Sequence, residues 1–166
     1  MSDEPLYTQW GLTDDQWFLL VGMPQAVLTA ASAATPDSAR KTRAENEAGL
    51  EKISEARASA SPLVSAVAQA ALAAAGDPEL GEDPPVIQPA DPEGYVADVL
   101  DRADQVRALL AGRADADAET YRHWLIEIVD TVVGAASTGG VLGIGGETVT
   151  DSERTFRDNL AKALID

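Results

Sequence analysis

Apolar residues along this chain recur every three or four positions, and no stretch alternates with the period of two that a half-buried strand requires. The pattern predicts an all-α fold, a bundle of five to six helices. Its strongest stripe is Tyr121, Trp124, Leu125, Ile128, Val129, Val132 and Ala136. A second runs Val96, Val99, Leu100, Ala103, Val106 and Leu110 and stops at Gly112, and Phe156, Leu160 and Leu164 give a terminal helix its inner face. Leu63 to Ala75 carries no charge, as expected of a central, well-buried helix. Gln16 to Pro36 is uncharged too, which raises the question of a membrane span. Gly22, Pro24, Gln25, Thr29 and Ser32 interrupt it and no basic residue before Arg40 anchors it, so it reads as a core segment. Asp37 to Ala60 is the polar exception. Its charges interleave, few large apolar residues stand beyond Leu50 and Ile53, and the pattern places it outside with most of its surface in water.

Start and stop signals divide these stretches. Thr13-Asp14-Asp15-Gln16 and Thr150-Asp151-Ser152-Glu153 are capping boxes, in which a threonine hydroxyl accepts an amide and the fourth side chain reaches back. Thr35-Pro36, Ser61-Pro62 and Asp91-Pro92-Glu93 pair a capping side chain with proline at the first helical position. Pro24 removes a backbone donor, which predicts a kink or a fresh start. Residues 1–12 read as irregular, with Leu6, Tyr7, Trp10 and Leu12 packing back onto the body. Between Asp77 and Gly94, five prolines and six acids without a base make a connector that is not helical throughout. The organisation expected is one helical domain over 1–166, with halves 13–76 and 95–166 joined by the connector 77–94. Segments 61–76, 95–111 and 118–137 are expected to form the inner layer.

Composition then limits function. The formal net charge of −16 argues against binding nucleic acid or anionic lipid through a basic surface. Solubility explains such acidity, as in salt-adapted or high-GC bacteria, and the scarcity of lysine (Lys41, Lys52 and Lys162) fits the second source. The sharper alternative is an acidic mimic of nucleic acid that occupies a basic partner. Cysteine is absent, which excludes disulfides, iron–sulfur clusters and thiolate zinc sites. With the acidic start Met1-Ser2-Asp3-Glu4, this leads us to expect a cytoplasmic protein.

Candidate chemistry is sparse. The single histidine, His123, has Glu119 and Glu127 one turn to either side. It reads as a boundary histidine paired with a carboxylate in preference to a general base or metal ligand. A di-iron bundle needs two Glu-x-x-His motifs and is excluded. The loop Gly139-Gly140-Val141-Leu142-Gly143-Ile144-Gly145-Gly146 invites a phosphate-binding reading, but no strand precedes it and no Gly-Lys-Ser/Thr closes it. It reads instead as a helix-to-helix excursion whose Val141, Leu142 and Ile144 plug into the core, and as a candidate interaction loop. Neither Asp77–Asp91 nor Asp130–Asp151 has the ligand spacing of a calcium loop, and Asp115, Asp117 and Glu119 read as decoration of a helix N-terminus. No catalytic residue, cofactor site or metal site is expected.

Ala135, Ala136, Gly139, Gly140, Val149, Thr150 and Glu153 follow an order of small residues, glycine turn, aliphatic residue and Thr-x-x-Glu helix start. In this the C-terminal quarter resembles the TerB-like group of small helical proteins associated with tellurite resistance. Ser137 and Thr138 stand where that group has an aspartate before the turn glycine, and the loop here is longer and more apolar. The resemblance implies an all-helical bundle and metal or stress-response connections. Taken together, the residues lead us to expect a non-catalytic interaction or scaffold protein, a bacterial stress or envelope accessory that binds a protein partner or itself. The alternatives are the acidic mimic and a TerB-like metal or small-ligand binder.

Overall fold

Cap chemistry sets where the helices begin. In the computed structural model, which describes residues 6–34, 39–76, 89–111, 116–138 and 151–165, the Thr13 hydroxyl accepts from the Gln16 amide at 3.2 Å. The Gln16 side chain accepts from the Thr13 amide at 3.0 Å, completing the capping box that opens helix α1, Asp14–Ala33. Helix α2 spans Ala39–Glu55 and is followed by a short 3-10 helix, Ala56–Ala58. Ser61 caps α3, Pro62–Ala75, by accepting from the Val64 amide at 3.3 Å, and Gly76 ends it at a φ of 112° that favours glycine. Asp91 accepts from the Gly94 amide at 3.1 Å and opens α4, Pro92–Ala111. Helices α5, Ala116–Thr138, and α6, Asp151–Ile165, complete the fold. It is all-α, with six helices and no strand among the described residues.

The sequence stripes become the core. Tyr121, Trp124, Leu125, Ile128, Val129 and Val132 of α5 are buried, as are Val99, Ala103, Val106 and Leu110 of α4 and Phe156, Leu160 and Leu164 of α6. They join Leu20, Met23, Val27 and Leu28 of α1 in one continuous apolar cluster. The helical period even divides the apolar run of α1, where Trp17 and Leu20 are buried while Phe18 is 66% exposed. No helix among the described residues is long and apolar enough to cross a membrane.

Several expectations need correction. The central pair is α1 and α5, since α1 touches all five other helices while α4 packs chiefly on α1 and α6 among the described residues. An uncharged helix buried nearly all round from Met23 to Ser32 suits that position. Nor is the polar α2 peripheral: its chief neighbour is α5, and Thr42, Glu45, Asn46, Gly49, Leu50 and Ile53 are buried. Two of its polar side chains bond inside, Glu45 accepting from Ser32 Oγ of α1 at 2.6 Å and Asn46 Nδ2 donating to the Thr42 carbonyl at 2.9 Å. Gly49 makes the approach possible, because a Cβ there would stand 2.4 Å from Leu28 of α1 and 3.0 Å from Val132 of α5. The polar segment also does not continue as one helix to Ala60, whereas α4 begins at the Asp91-Pro92-Glu93 signal read from the sequence.

Pro24 neither ends nor restarts α1, which runs through it. Proline cannot donate to the carbonyl four residues earlier, so Leu20 is left without an intrahelical partner. The fully buried Tyr121 of α5 supplies one, its hydroxyl donating to the Leu20 carbonyl at 2.7 Å. Ahead of α1, the 3-10 helix Leu6–Trp10 folds back as expected. Trp17 is flanked by Tyr7 at 5.3 Å and by Trp10 at 6.2 Å, with interplanar angles of 20° and 9°, and the Tyr7 hydroxyl donates to Asp14.

Candidate functional site

A chemically varied concavity lies where the end of α2 meets the first half of α5. Positions 119, 120, 123, 124 and 127 fall on one face of α5 at helical spacing and form one wall. Lys52, Glu55 and Ala56 at the end of α2, Ser59 in the following turn and Val64 in the first turn of α3 form the other. The cleft between them measures about 470 Å³ and opens to solvent. Ala56, Val64 and Trp124 give it an apolar floor beneath a charged rim.

Ion pairs tie the rim across the helices. Lys52 Nζ stands 3.5 Å from Glu127 and 4.0 Å from Glu55, linking α2 to α5. Of the two carboxylates expected beside His123, Glu119 approaches its Nε2 at 3.8 Å, while Glu127 turns to Lys52. Two hydroxyls line the cleft, and each bonds the backbone. Ser59 Oγ accepts from the Ser61 amide at 3.1 Å, and Thr120 Oγ1 donates to the Ala116 carbonyl at 2.8 Å. Beside the cleft, Ser61 Oγ donates to Asp117 at 2.6 Å while capping α3, so one hydroxyl fixes the starts of two helices.

Trp124 is 4% exposed and meets Tyr121 edge-on at 6.0 Å, but its indole N–H has no acceptor among the described residues. An unpaired buried donor costs about 1–3 kcal/mol, so it calls for an explanation.

No group of three or more His, Asp or Glu side chains among the described residues is arranged to hold a metal ion. The interaction loop Gly139–Gly146 read from the sequence lies outside the described residues, as do the Thr35-Pro36 start, Thr150 of the second capping box and connector residues 77–88. A second cavity of about 730 Å³ lies among the end of α1 and the starts of α4 and α6, lined by Ala34, Val96 and Phe156 beside Asp91, Glu93 and Asp151. Sequence reasoning found His123, Glu119 and Glu127 because one helix carries them. It missed Lys52, Glu55, Ser59 and Val64, which become neighbours only once α2 packs on α5, and no local signal announces that contact.

Comparison with protein-family models, curated proteins and solved structures finds no match to this chain.

Proposed function

We propose that this chain is a non-catalytic helical interaction protein of the cytoplasm, an accessory that recognises a partner protein. The observation that carries this reading is the cleft between α2 and α5. It combines an apolar floor, a charged rim and two hydroxyls that bond the backbone, Ser59 as acceptor and Thr120 as donor. Such a surface suits recognition by a few anchoring side chains better than bond-breaking chemistry. Exposed carboxylates are spread over α1 (Asp14, Asp15), α2 (Glu47, Glu51, Glu55), α4 (Asp98, Asp101, Asp104), α5 (Glu119, Glu127, Asp130) and α6 (Asp151, Asp158). That spread favours general recognition over imitation of a duplex, which needs its charges gathered along one face.

The test is cross-linking and capture with the full chain as bait, alongside light scattering of the purified protein. A specific partner enriched over a charge-matched acidic control protein supports the reading. A strict monomer that retains nothing beyond the control defeats it.

A further inference from the structure

We infer that the α2–α5 cleft takes a basic segment of a partner protein. The segment seats one lysine or arginine among Glu55, Glu119 and Glu127 and an adjoining apolar side chain against Val64 and Trp124. This inference rests on the reading of the chain as an interaction protein and adds the chemistry of what it binds.

Charge comes first. Three carboxylates face one lysine across the rim, and Lys52 is already shared between Glu55 at 4.0 Å and Glu127 at 3.5 Å. Among the described residues, Glu119 pairs only with His123, at 3.8 Å. The cleft therefore keeps a negative excess after its internal pairing, and the −16 of the whole chain adds a field of the same sign that draws cations toward it. Size and lining come next. About 470 Å³ lies within the range of sites that hold a ligand or a few side chains, and the apolar floor gives the aliphatic stem of a lysine or arginine a surface to cover.

The third observation separates a peptide from a bare cation. Trp124 lines the cleft and carries a buried indole N–H with no acceptor among the described residues. A peptide brings backbone carbonyls that can accept such a bond, whereas a metal ion or polyamine brings none. Nε1 is covered in the free protein, so a carbonyl reaches it only as the cleft side chains move. Its proton then becomes a reporter of binding.

The experiment is a titration of the ¹⁵N-labelled full chain with the acetylated, amidated peptide Ala-Lys-Leu-Arg-Ala, following the indole resonances of Trp10, Trp17 and Trp124. The Trp124 signal is expected to move while the other two stay in place. The double variant Glu119→Gln, Glu127→Gln should bind about tenfold more weakly with unchanged circular dichroism, as removal of two partly exposed charge contacts implies. Should that variant lose helix, Glu55→Gln alone must weaken binding in the same direction. The inference is overturned by an unmoved Trp124 signal or by undiminished affinity in the variant. Spermidine, or the peptide with serine in place of leucine, binding as tightly as the parent peptide also overturns it. Movement of the Trp124 signal with protein concentration alone would assign the cleft to a second copy of this chain and overturn the partner assignment. If the cleft variant still captures the partner retained by the unaltered chain, the cleft is wrong and the interaction reading stands. If the unaltered chain captures nothing, that reading falls first.

Discussion

Tyr121 and Pro24 belong to helices far apart in sequence, yet one hydrogen bond makes them a chemical unit. The hydroxyl replaces the donor that proline lacks, so Tyr121→Phe leaves the Leu20 carbonyl buried and unpaired, at a cost of about 1–3 kcal/mol. In a Pro24→Ala background the new amide can take over, and the cost of Tyr121→Phe is expected to fall by about half or more in a double-mutant cycle read by urea unfolding. The same residue shapes the alkaline limb of stability. Burial pushes its hydroxyl well above the ordinary value of 10.0. The unfolded chain releases that proton first, so its contribution is full below about pH 10 and declines as pH rises further. Tyr7 shifts in the same direction through its hydrogen bond to Asp14, so the comparison must be between the unaltered chain and Tyr121→Phe. Unfolding midpoints between about pH 9 and about pH 11 should fall less steeply in the variant.

At the level of helices, Ser61 joins two starts, accepting from the Val64 amide and donating to Asp117. Ser61→Ala removes both bonds and is expected to cost about 1–2 kcal/mol in thermal unfolding. Asp117→Ala leaves the cap in place and should cost clearly less. The helix starts at Thr13, Ser61 and Asp91 were legible in the sequence because capping is local chemistry, and the stripes of α4, α5 and α6 were legible because burial imposes its period. What was not legible depends on partners far along the chain. The polarity of Thr42, Glu45 and Asn46 suggests solvent, yet all three are buried, Glu45 accepting from Ser32 of α1 and Asn46 bonding within its own turn. Nothing near Gly49 announces that Leu28 and Val132 need its missing side chain. The cleft shared this fate: one wall could be read along α5, the other only after α2 had docked.

For the molecule as a whole, acidity and packing oppose each other. Cross-helix ion pairs such as Lys52 with Glu127 and Arg157 with Asp130, at 3.5 and 3.0 Å, are partly exposed and contribute little. Self-repulsion from a net charge of −16 is the larger electrostatic effect. Raising salt from about 0.01 M to about 0.5 M should therefore raise the melting temperature, because the screening length shrinks from tens of ångströms to a few. A fall over that range would mean that the ion pairs dominate. The parallel stack of Trp10 on Trp17 also has an optical consequence. Two indoles held at a fixed mutual orientation couple their transitions and give a near-ultraviolet dichroic signal that free tryptophan lacks. Replacing Trp10 with phenylalanine should abolish it. On gentle heating the signal should fade before the far-ultraviolet helix band does, a spectroscopic clock for the undocking of residues 6–12 from a bundle still folded beneath them.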